Sequence, residues 1–92
     1  MVRVAGEVDI LSAPRLNELL HCRLRSTLSR LELELSGVTF MSIAGAQVLE
    51  YAATYARYND KELRIEVGGS RAVQRVLRAT GLQDQLPLAT RV

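Results

Sequence analysis

Few residues of this 92-residue chain have side chains and a spacing suited to chemistry. The one histidine, His21, stands beside the one cysteine, Cys22, and two adjacent ligands cannot build a structural zinc site. A single cysteine also excludes an internal disulfide. The chain has no glycine-rich phosphate loop, no nucleotide-binding fingerprint and no serine, histidine and acid set in a plausible context. We therefore expect no enzyme activity, no metal site and no cofactor.

The polar residues that follow the predicted strands are candidates for binding a partner. Ser42 precedes a predicted helix, where a serine hydroxyl serves more often as a cap or turn residue than as a phosphate acceptor. We favour the cap and keep phosphorylation of Ser42 as the minor alternative. Asp9 and Glu7 follow the first predicted strand, in a loop where acids are usually solvated turn residues but can also contact a partner.

The charge balance does not indicate a nucleic acid partner. Lysine and arginine outnumber the acids by 12 to 10, which gives a net charge of +2, and a balance this small attracts polyanions weakly. Arg71, Arg75 and Arg78 share one face of a predicted helix, but three charges are few against the roughly 6–10 phosphates that firm binders contact. We expect a solvated basic face.

The hydropathy pattern indicates a protein outside the membrane. No apolar run approaches the roughly 20 residues needed to cross a bilayer, so no direct membrane insertion is expected. The first residues contain acids and lack the apolar core of a secretory signal. The chain is therefore expected in the cytoplasm, and whether Met1 is the native start stays open.

Capping and turn residues divide the chain into alternating strands and helices. The first half is predicted to contain a strand that turns at Gly6, a helix capped by Ser12 that ends near Arg25, and an alternating strand through Leu31, Leu33 and Leu35. The second half is predicted to contain a helix to about Tyr58, a strand from Leu63 to Val67, a helix between Ser70 and Gly81, and a short edge segment at Leu86-Pro87-Leu88. This order predicts an α/β domain. The alternating strands indicate that helices cover one face of its sheet.

The second predicted helix is apolar on two sides. A stripe of small residues that includes Gly45 and Ala52 suits close packing on the sheet. Val48, Tyr51 and Tyr55 lie on another side, and tyrosine is enriched at protein interfaces because it buries area and keeps a polar tip. For this side we favour an interface over a semi-exposed helix edge.

Three segments of the sequence resemble the STAS domain family and follow the family's order. They are Gly6-Glu7-Val8-Asp9 with Ser12-Ala13-Pro14 and Leu16, similar to its GE-x-D and SAP-x-L start; Leu33 to Phe40, similar to its DLSGV-x-F strand; and Val76 to Leu82, similar to its VL-x-x-TGL helix end. Together they extend over nearly the whole chain, from Gly6 to Leu82. The resemblance implies a single STAS-like domain over residues 1–92, with a mixed four- to five-stranded sheet and helices mainly on one face.

Within this family the chain resembles the bacterial anti-sigma factor antagonists, which implies a non-catalytic interaction module in transcription regulation. Such antagonists bind an anti-sigma factor, which is usually also a kinase, and release the sigma factor that it holds. The kinase phosphorylates a serine in the family's DSSG loop and thereby breaks the complex. That loop aligns with Ser42-Ile43-Ala44-Gly45, so Ile43, which has no hydroxyl, stands at the acceptor position. The resemblance therefore predicts an antagonist without the usual phosphorylation switch.

The resemblance places the partner surface on this loop and on the helix that follows it. The predicted partner-binding residues are Asp9, Ser42, Ile43, Ala44, Gly45, Ala46, Val48, Tyr51 and Tyr55. The expected partner is an anti-sigma factor, of the kinase type or another. The alternative that stays open is a STAS subunit that regulates or scaffolds a membrane transporter or a stress-signalling complex.

The start of the chain departs from the family pattern. STAS domains commonly have a strand before the GE-x-D strand, and here only Met1 to Val4 precede the predicted turn. A bare sheet edge invites pairing with another chain. We therefore also expect a homodimer through this edge, with a different native start as the alternative.

Overall fold

The structure is a computed structural model that describes residues 1–89, and strands and helices alternate in it in the predicted order. The strands are β1 Val2–Val8, β2 Arg30–Met41 and β3 Glu62–Glu66. The helices are α1 Ala13–Leu24, α2 Ile43–Tyr58 and α3 Arg71–Thr80, followed by a short 3-10 helix, Leu82–Asp84. The predicted end of α1 near Arg25 is confirmed, because Arg25 is its C-cap residue.

Within residues 1–89 the sheet has three strands in the order β1-β2-β3, and both strand pairs are parallel. The prediction of a mixed sheet with four to five strands is therefore wrong. The predicted edge segment does reach the sheet, but it forms only one parallel bridge, between Leu88 and Ile65. Two hydrogen bonds hold it there, from Ile65 N to Pro87 O at 3.0 Å and from Ala89 N to Ile65 O at 2.7 Å.

The predicted end of β1 at Gly6 is wrong, because the strand continues to Val8. Gly6 takes a φ of +82°, a conformation that glycine adopts at little cost, so the chain passes through this point without leaving the sheet. The pairing of β1 with β2 shifts register twice, and the extra residues lie on β2 each time. β1 therefore keeps a regular alternation of buried and exposed residues.

The hydrophobic core lies between the sheet and the helices. Leu33 and Leu35 on β2 and Ile65 on β3 are almost fully buried, and Leu20 on α1 and Leu49 on α2 meet them from the helical layer. Between Leu31 and Leu35, the residues that alternate with the buried leucines of β2 are Glu32 and Glu34, which are polar and partly exposed. The expectation that helices cover one face of the sheet is thus confirmed.

Ser12 and Ser70 precede α1 and α3, and their side chains act in different ways. Ser70 caps α3 as predicted: its hydroxyl accepts a hydrogen bond from Val73 N at 3.3 Å and donates one to Val38 O at 2.7 Å. Ser12 precedes α1, but its hydroxyl does not cap the helix. It bonds to Asp9 instead, because a local turn competes with the helix for the same side chain.

Two glycines with similar backbones differ in the space around them, which gives a matched test. Gly68 (φ +58°) and Gly81 (φ +75°) are both left-handed, but a Cβ at Gly68 would lie 2.7 Å from Ser36 Cβ, whereas a Cβ at Gly81 meets open space. We expect Gly81→Ala to cost about 1 kcal/mol in free energy of unfolding. Gly68→Ala should cost about 2–4 kcal/mol, because steric overlap is added to the backbone strain. Urea denaturation measures both variants, and equal losses would contradict the close approach of Gly68 to Ser36.

Candidate functional site

The candidate site lies where the carboxyl ends of β1 and β2 meet. Ser42 N donates a hydrogen bond of 2.9 Å to Val8 O, which holds the two strand ends together. Directly after these residues, the chain forms a turn over residues 9–12 on one side and begins α2 on the other. In open α/β sheets, this edge is where ligands are usually bound.

The turn over residues 9–12 is rigidified by hydrogen bonds between its own ends. Asp9 Oδ1 accepts from Leu11 N at 3.0 Å, from Ser12 N at 2.9 Å and from Ser12 Oγ at 3.1 Å. The Ser12 hydroxyl in turn accepts from Asp9 N at 2.9 Å. The backbone and side-chain hydrogen bonds from Ser12 hold the pKa of the Asp9 carboxyl below its ordinary value. Asp9 is thus a residue that shapes the loop.

This loop and the adjoining strand end display large apolar side chains to solvent. Ile10 is 74% exposed and Leu11 86%, while Ile43, the first residue of α2, is 62% exposed and Phe40, near the end of β2, is 48% exposed. All four lie within three residues of the Val8–Ser42 hydrogen bond. We call them the carboxyl-edge patch. Grouped exposed apolar residues of this kind mark interaction surfaces more often than scattered ones do.

The structure divides the predicted partner-binding residues into exposed and buried ones. Ile43 and Tyr51 (57%) are exposed, and Asp9, Ser42, Ala44 and Tyr55 are partly exposed. Gly45, Ala46 and Val48 are buried, so their role is to pack α2 onto the sheet edge. A Cβ at Gly45 would lie only 2.9 Å from Val8 Cγ1, which explains why a glycine suits this position.

The tyrosines of α2 do not form one exposed face. The rings of Tyr55 and His21 meet edge to face, with centroids 5.3 Å apart and an interplanar angle of 82°. Tyr55 therefore belongs largely to the contact between α1 and α2. Tyr51 and Tyr58 remain exposed, and Tyr51 lies two turns along α2 from Ile43.

Ser42 occupies the N-cap position of α2, as the sequence favoured. Its hydroxyl accepts a hydrogen bond from Gly45 N at 3.2 Å, and its backbone is extended, with φ −81° and ψ 170°. This geometry is typical of a capping serine.

Other residues singled out in the sequence lie apart from this edge. Cys22 is exposed on α1, and Arg71, Arg75 and Arg78, the predicted basic face, are exposed on α3. Among residues 1–89, no group of three or more histidine, cysteine or acidic side chains could hold a metal ion. Over the same residues, α1 to α3 are each too short or too polar to cross a bilayer.

Comparison with known proteins decides the family. A family model described as the STAS domain matches residues 1–92. The chain belongs to the STAS domain family.

Relatives of this STAS domain include anti-sigma-B factor antagonists from several strains of Staphylococcus aureus. They are 31% identical over 83 residues, a match that covers 90% of this chain and 76% of theirs. Among solved structures, an anti-sigma factor antagonist from Mycobacterium paratuberculosis superposes with a TM-score of 0.79 at 24% identity, covering 98% of this chain and 75% of that one. The STAS domain of a SulP transporter from Vibrio cholerae gives 0.65 at 22% identity, with coverages of 95% and 69%. The two structures share the fold of this STAS domain.

Sequence analysis missed most of the carboxyl-edge patch. Ile10 and Leu11 lie between the first predicted strand and the first predicted helix. Two adjacent aliphatic residues in a turn were the signal that could have indicated an exposed apolar patch. Phe40 entered only as part of a family motif. The hydrogen bonds between Asp9 and Ser12 close the turn that carries Ile10 and Leu11, and both side chains are exposed there.

The Asp9 turn makes the stability of this STAS domain depend on pH. Because the folded-state pKa of Asp9 is lowered, its contribution is present above the unfolded pKa and is lost as the pH falls below about 4. We expect Asp9→Asn to lower the melting temperature at pH 7, and the difference from wild type to shrink at acid pH. Thermal unfolding followed by circular dichroism measures this, with Glu18→Gln, an exposed acid on α1, as the control. A difference that is constant from pH 7 to acid pH would mean that the Asp9 charge is not involved.

Proposed function

We propose that this STAS domain binds an anti-sigma factor through the carboxyl-edge patch and thereby releases a sigma factor in the cytoplasm. The names of its relatives from Staphylococcus aureus support the class of partner. The observation that carries the proposal is the group of exposed apolar residues beside the start of α2, headed by Ile43. Burying apolar surface contributes roughly 25 cal/mol per Å², so a partner that covers these side chains gains affinity from them.

We further propose that this binding lacks the phosphorylation switch of the family. Ile43 stands where the family's acceptor serine would be and offers no hydroxyl. The neighbouring hydroxyl of Ser42 is bonded to the backbone of α2. An aliphatic side chain at this position favours a constitutive complex, because no phosphate can introduce negative charge into the interface at Ile43.

Isothermal titration calorimetry with the anti-sigma factors encoded in the same genome tests the proposal. We expect one of them to bind with a dissociation constant of about 1 µM or tighter. If none binds, the antagonist function is wrong. Co-purification of this domain with transporter subunits in that case would favour the alternative function, which the fold shared with the SulP transporter domain also permits.

A phosphorylation assay tests the missing switch separately. With the kinase-type partner and ATP, the wild-type domain should gain no phosphate, whereas Ile43→Ser should gain one phosphate by intact mass. The double variant Ser42→Ala/Ile43→Ser is the control that assigns the phosphate to position 43. Phosphate on the wild-type domain that Ser42→Ala removes would overturn the constitutive part of the proposal and leave the antagonist part standing.

A further inference from the structure

The exposed side of α3 carries charge of one sign only. Arg71, Arg75 and Arg78 lie on it, whereas Val73 and Leu77 are buried on the opposite side. Residues spaced by three and four positions are neighbours along a helix, so the three guanidinium groups form one row. No acidic residue occurs in α3. This row is the basic face of α3.

The described part of the chain provides no counterion for the basic face. Within residues 1–89, the ion pairs join Arg30 to Glu32 and to Glu62, near the starts of β2 and β3. The first turn of α3 contains no acid, although helix N-termini favour negative charge, and Arg71 adds a positive charge there. The domain therefore presents a row of arginines that an anionic partner can neutralise.

The start of α3 lies beside the carboxyl-edge patch. The hydroxyl of Ser70, which is 4% exposed, donates a hydrogen bond of 2.7 Å to Val38 O on β2. Phe40 of the patch lies two residues further along the same strand, about 7 Å away by strand geometry. Arg71 directly follows Ser70, so the basic face begins next to the patch. A protein that covers the patch can therefore also reach the basic face.

We propose that the basic face of α3 binds an acidic segment of the same anti-sigma factor whose apolar surface covers the carboxyl-edge patch. This proposal rests on the proposed function, because the partner is the same protein, and it adds the charge of the partner's surface. Arginine suits the role, since its planar group forms paired hydrogen bonds with a carboxylate. The row spans about 10 Å along α3, which a short cluster of acidic side chains can match.

A protein fits the basic face better than a nucleic acid does. Three charges are few against the roughly 6–10 phosphates that firm nucleic acid binders contact. The neighbouring Phe40 and Ile43 are exposed apolar side chains, and an apolar centre with a polar rim is typical of protein interfaces. Charges on such a rim mainly raise the association rate and make binding depend on salt.

Surface plasmon resonance with the anti-sigma factor that binds in calorimetry is the first measurement. The affinity of the wild-type domain should fall by about tenfold between about 50 mM and about 500 mM salt, because salt screens exposed charges. Arg71→Gln/Arg75→Gln/Arg78→Gln should bind about tenfold more weakly at low salt, mainly through slower association, and should lose most of the salt dependence. Glutamine is a good helix former, so α3 should persist, and the melting temperature checks this.

Arg23→Gln/Arg25→Gln/Arg57→Gln is the matched control. It removes the same number of exposed positive charges, but near the C-terminal ends of α1 and α2, away from the patch. Its affinity should stay within about twofold of wild type and keep the salt dependence. An equal loss in both triple variants would indicate an effect of net charge alone and would overturn the proposal.

A cross-link identifies the acids of the partner without depending on affinity. Arg75→Lys keeps the charge and introduces an amine, which a carbodiimide joins to a carboxylate in direct contact. In the complex, we expect a cross-linked peptide that connects position 75 to an aspartate or glutamate of the anti-sigma factor. Arg23→Lys, in the last turn of α1, should give no such peptide. A cross-link from position 23 and none from position 75 would overturn the proposal.

The same measurements distinguish failure of this proposal from failure of the proposed function. If wild type binds the anti-sigma factor and Ile43→Asp does not, but the α3 variant matches wild type, the proposed function stands and the proposal for α3 is wrong. If the α3 variant keeps its affinity for the anti-sigma factor but loses binding to a short DNA duplex, the basic face serves a nucleic acid and the proposal is also wrong. If no anti-sigma factor binds, both are overturned.

Discussion

Replacing Ile43 by aspartate should weaken binding of the anti-sigma factor by at least about 100-fold, or about 2.7 kcal/mol. Ile43 is 62% exposed at the first position of α2, so its side chain can be covered by a partner. A carboxylate there would lose its water on binding without gaining a partner of opposite charge. The fold should persist, because aspartate is well tolerated in the first turn of a helix. Calorimetric titration of the variant measures the loss.

Leu28→Asp is the matched control for this variant. Leu28 is 52% exposed, but it lies before β2 at the amino-terminal edge of the sheet, away from the carboxyl-edge patch. The same change from aliphatic to acidic should leave affinity unchanged there. Equal losses in both variants would indicate a general effect of charge and would remove Ile43 from the interface.

Leu49→Ala should be the most damaging single substitution for stability among those considered, with a loss of about 2–5 kcal/mol in free energy of unfolding. Leu49 is fully buried in the middle of α2, in the core cluster that joins the helices to the sheet. The loss combines the missing burial of three carbon atoms with the cavity left behind. A domain of this length has a total stability of roughly 5–14 kcal/mol, so the loss is a large part of it.

Urea denaturation at 25 °C measures this effect, and Leu28→Ala provides the comparison. Replacing this exposed leucine should change the free energy of unfolding by less than about 0.5 kcal/mol. If Leu49→Ala and Leu28→Ala lower the free energy of unfolding equally, α2 is not packed on the sheet as described. A loss of binding in Leu49→Ala that follows only from unfolding should recover at lower temperature.

Side-chain periodicity predicted the elements because burial on one face imposes it. Leu31, Leu33 and Leu35 alternate with glutamates along β2, and this alternation indicated both the strand and its covered face. Ser70 and Gly81 marked the ends of α3 through local hydrogen bonding and a left-handed backbone. These signals are local in the chain, so the sequence alone carries them.

The predictions failed where contacts between distant parts of the chain determine the structure. The number of strands is one example: Leu86-Pro87-Leu88 reaches the edge of the sheet as predicted, but its single bridge, from Leu88 to Ile65, does not make a fourth strand. Gly6 resembles a turn residue, yet pairing with β2 keeps it inside β1. The exposure of Ile10 and Leu11 depends on how Asp9 and Ser12 close the turn, which residue types alone do not determine.

The parallel arrangement of the sheet has a consequence for how quickly the chain reaches its native state. Each strand pair joins residues about thirty positions apart, as with Val2 and Leu33 or Leu31 and Leu63. No hairpin between neighbouring strands can therefore form early and act as a nucleus, because parallel strands need a crossover. Pairing the two strands of each strand–helix–strand unit therefore costs the loop-closure entropy of the whole segment between them. Since β2 takes part in both pairs, we expect its central leucines to govern the folding rate.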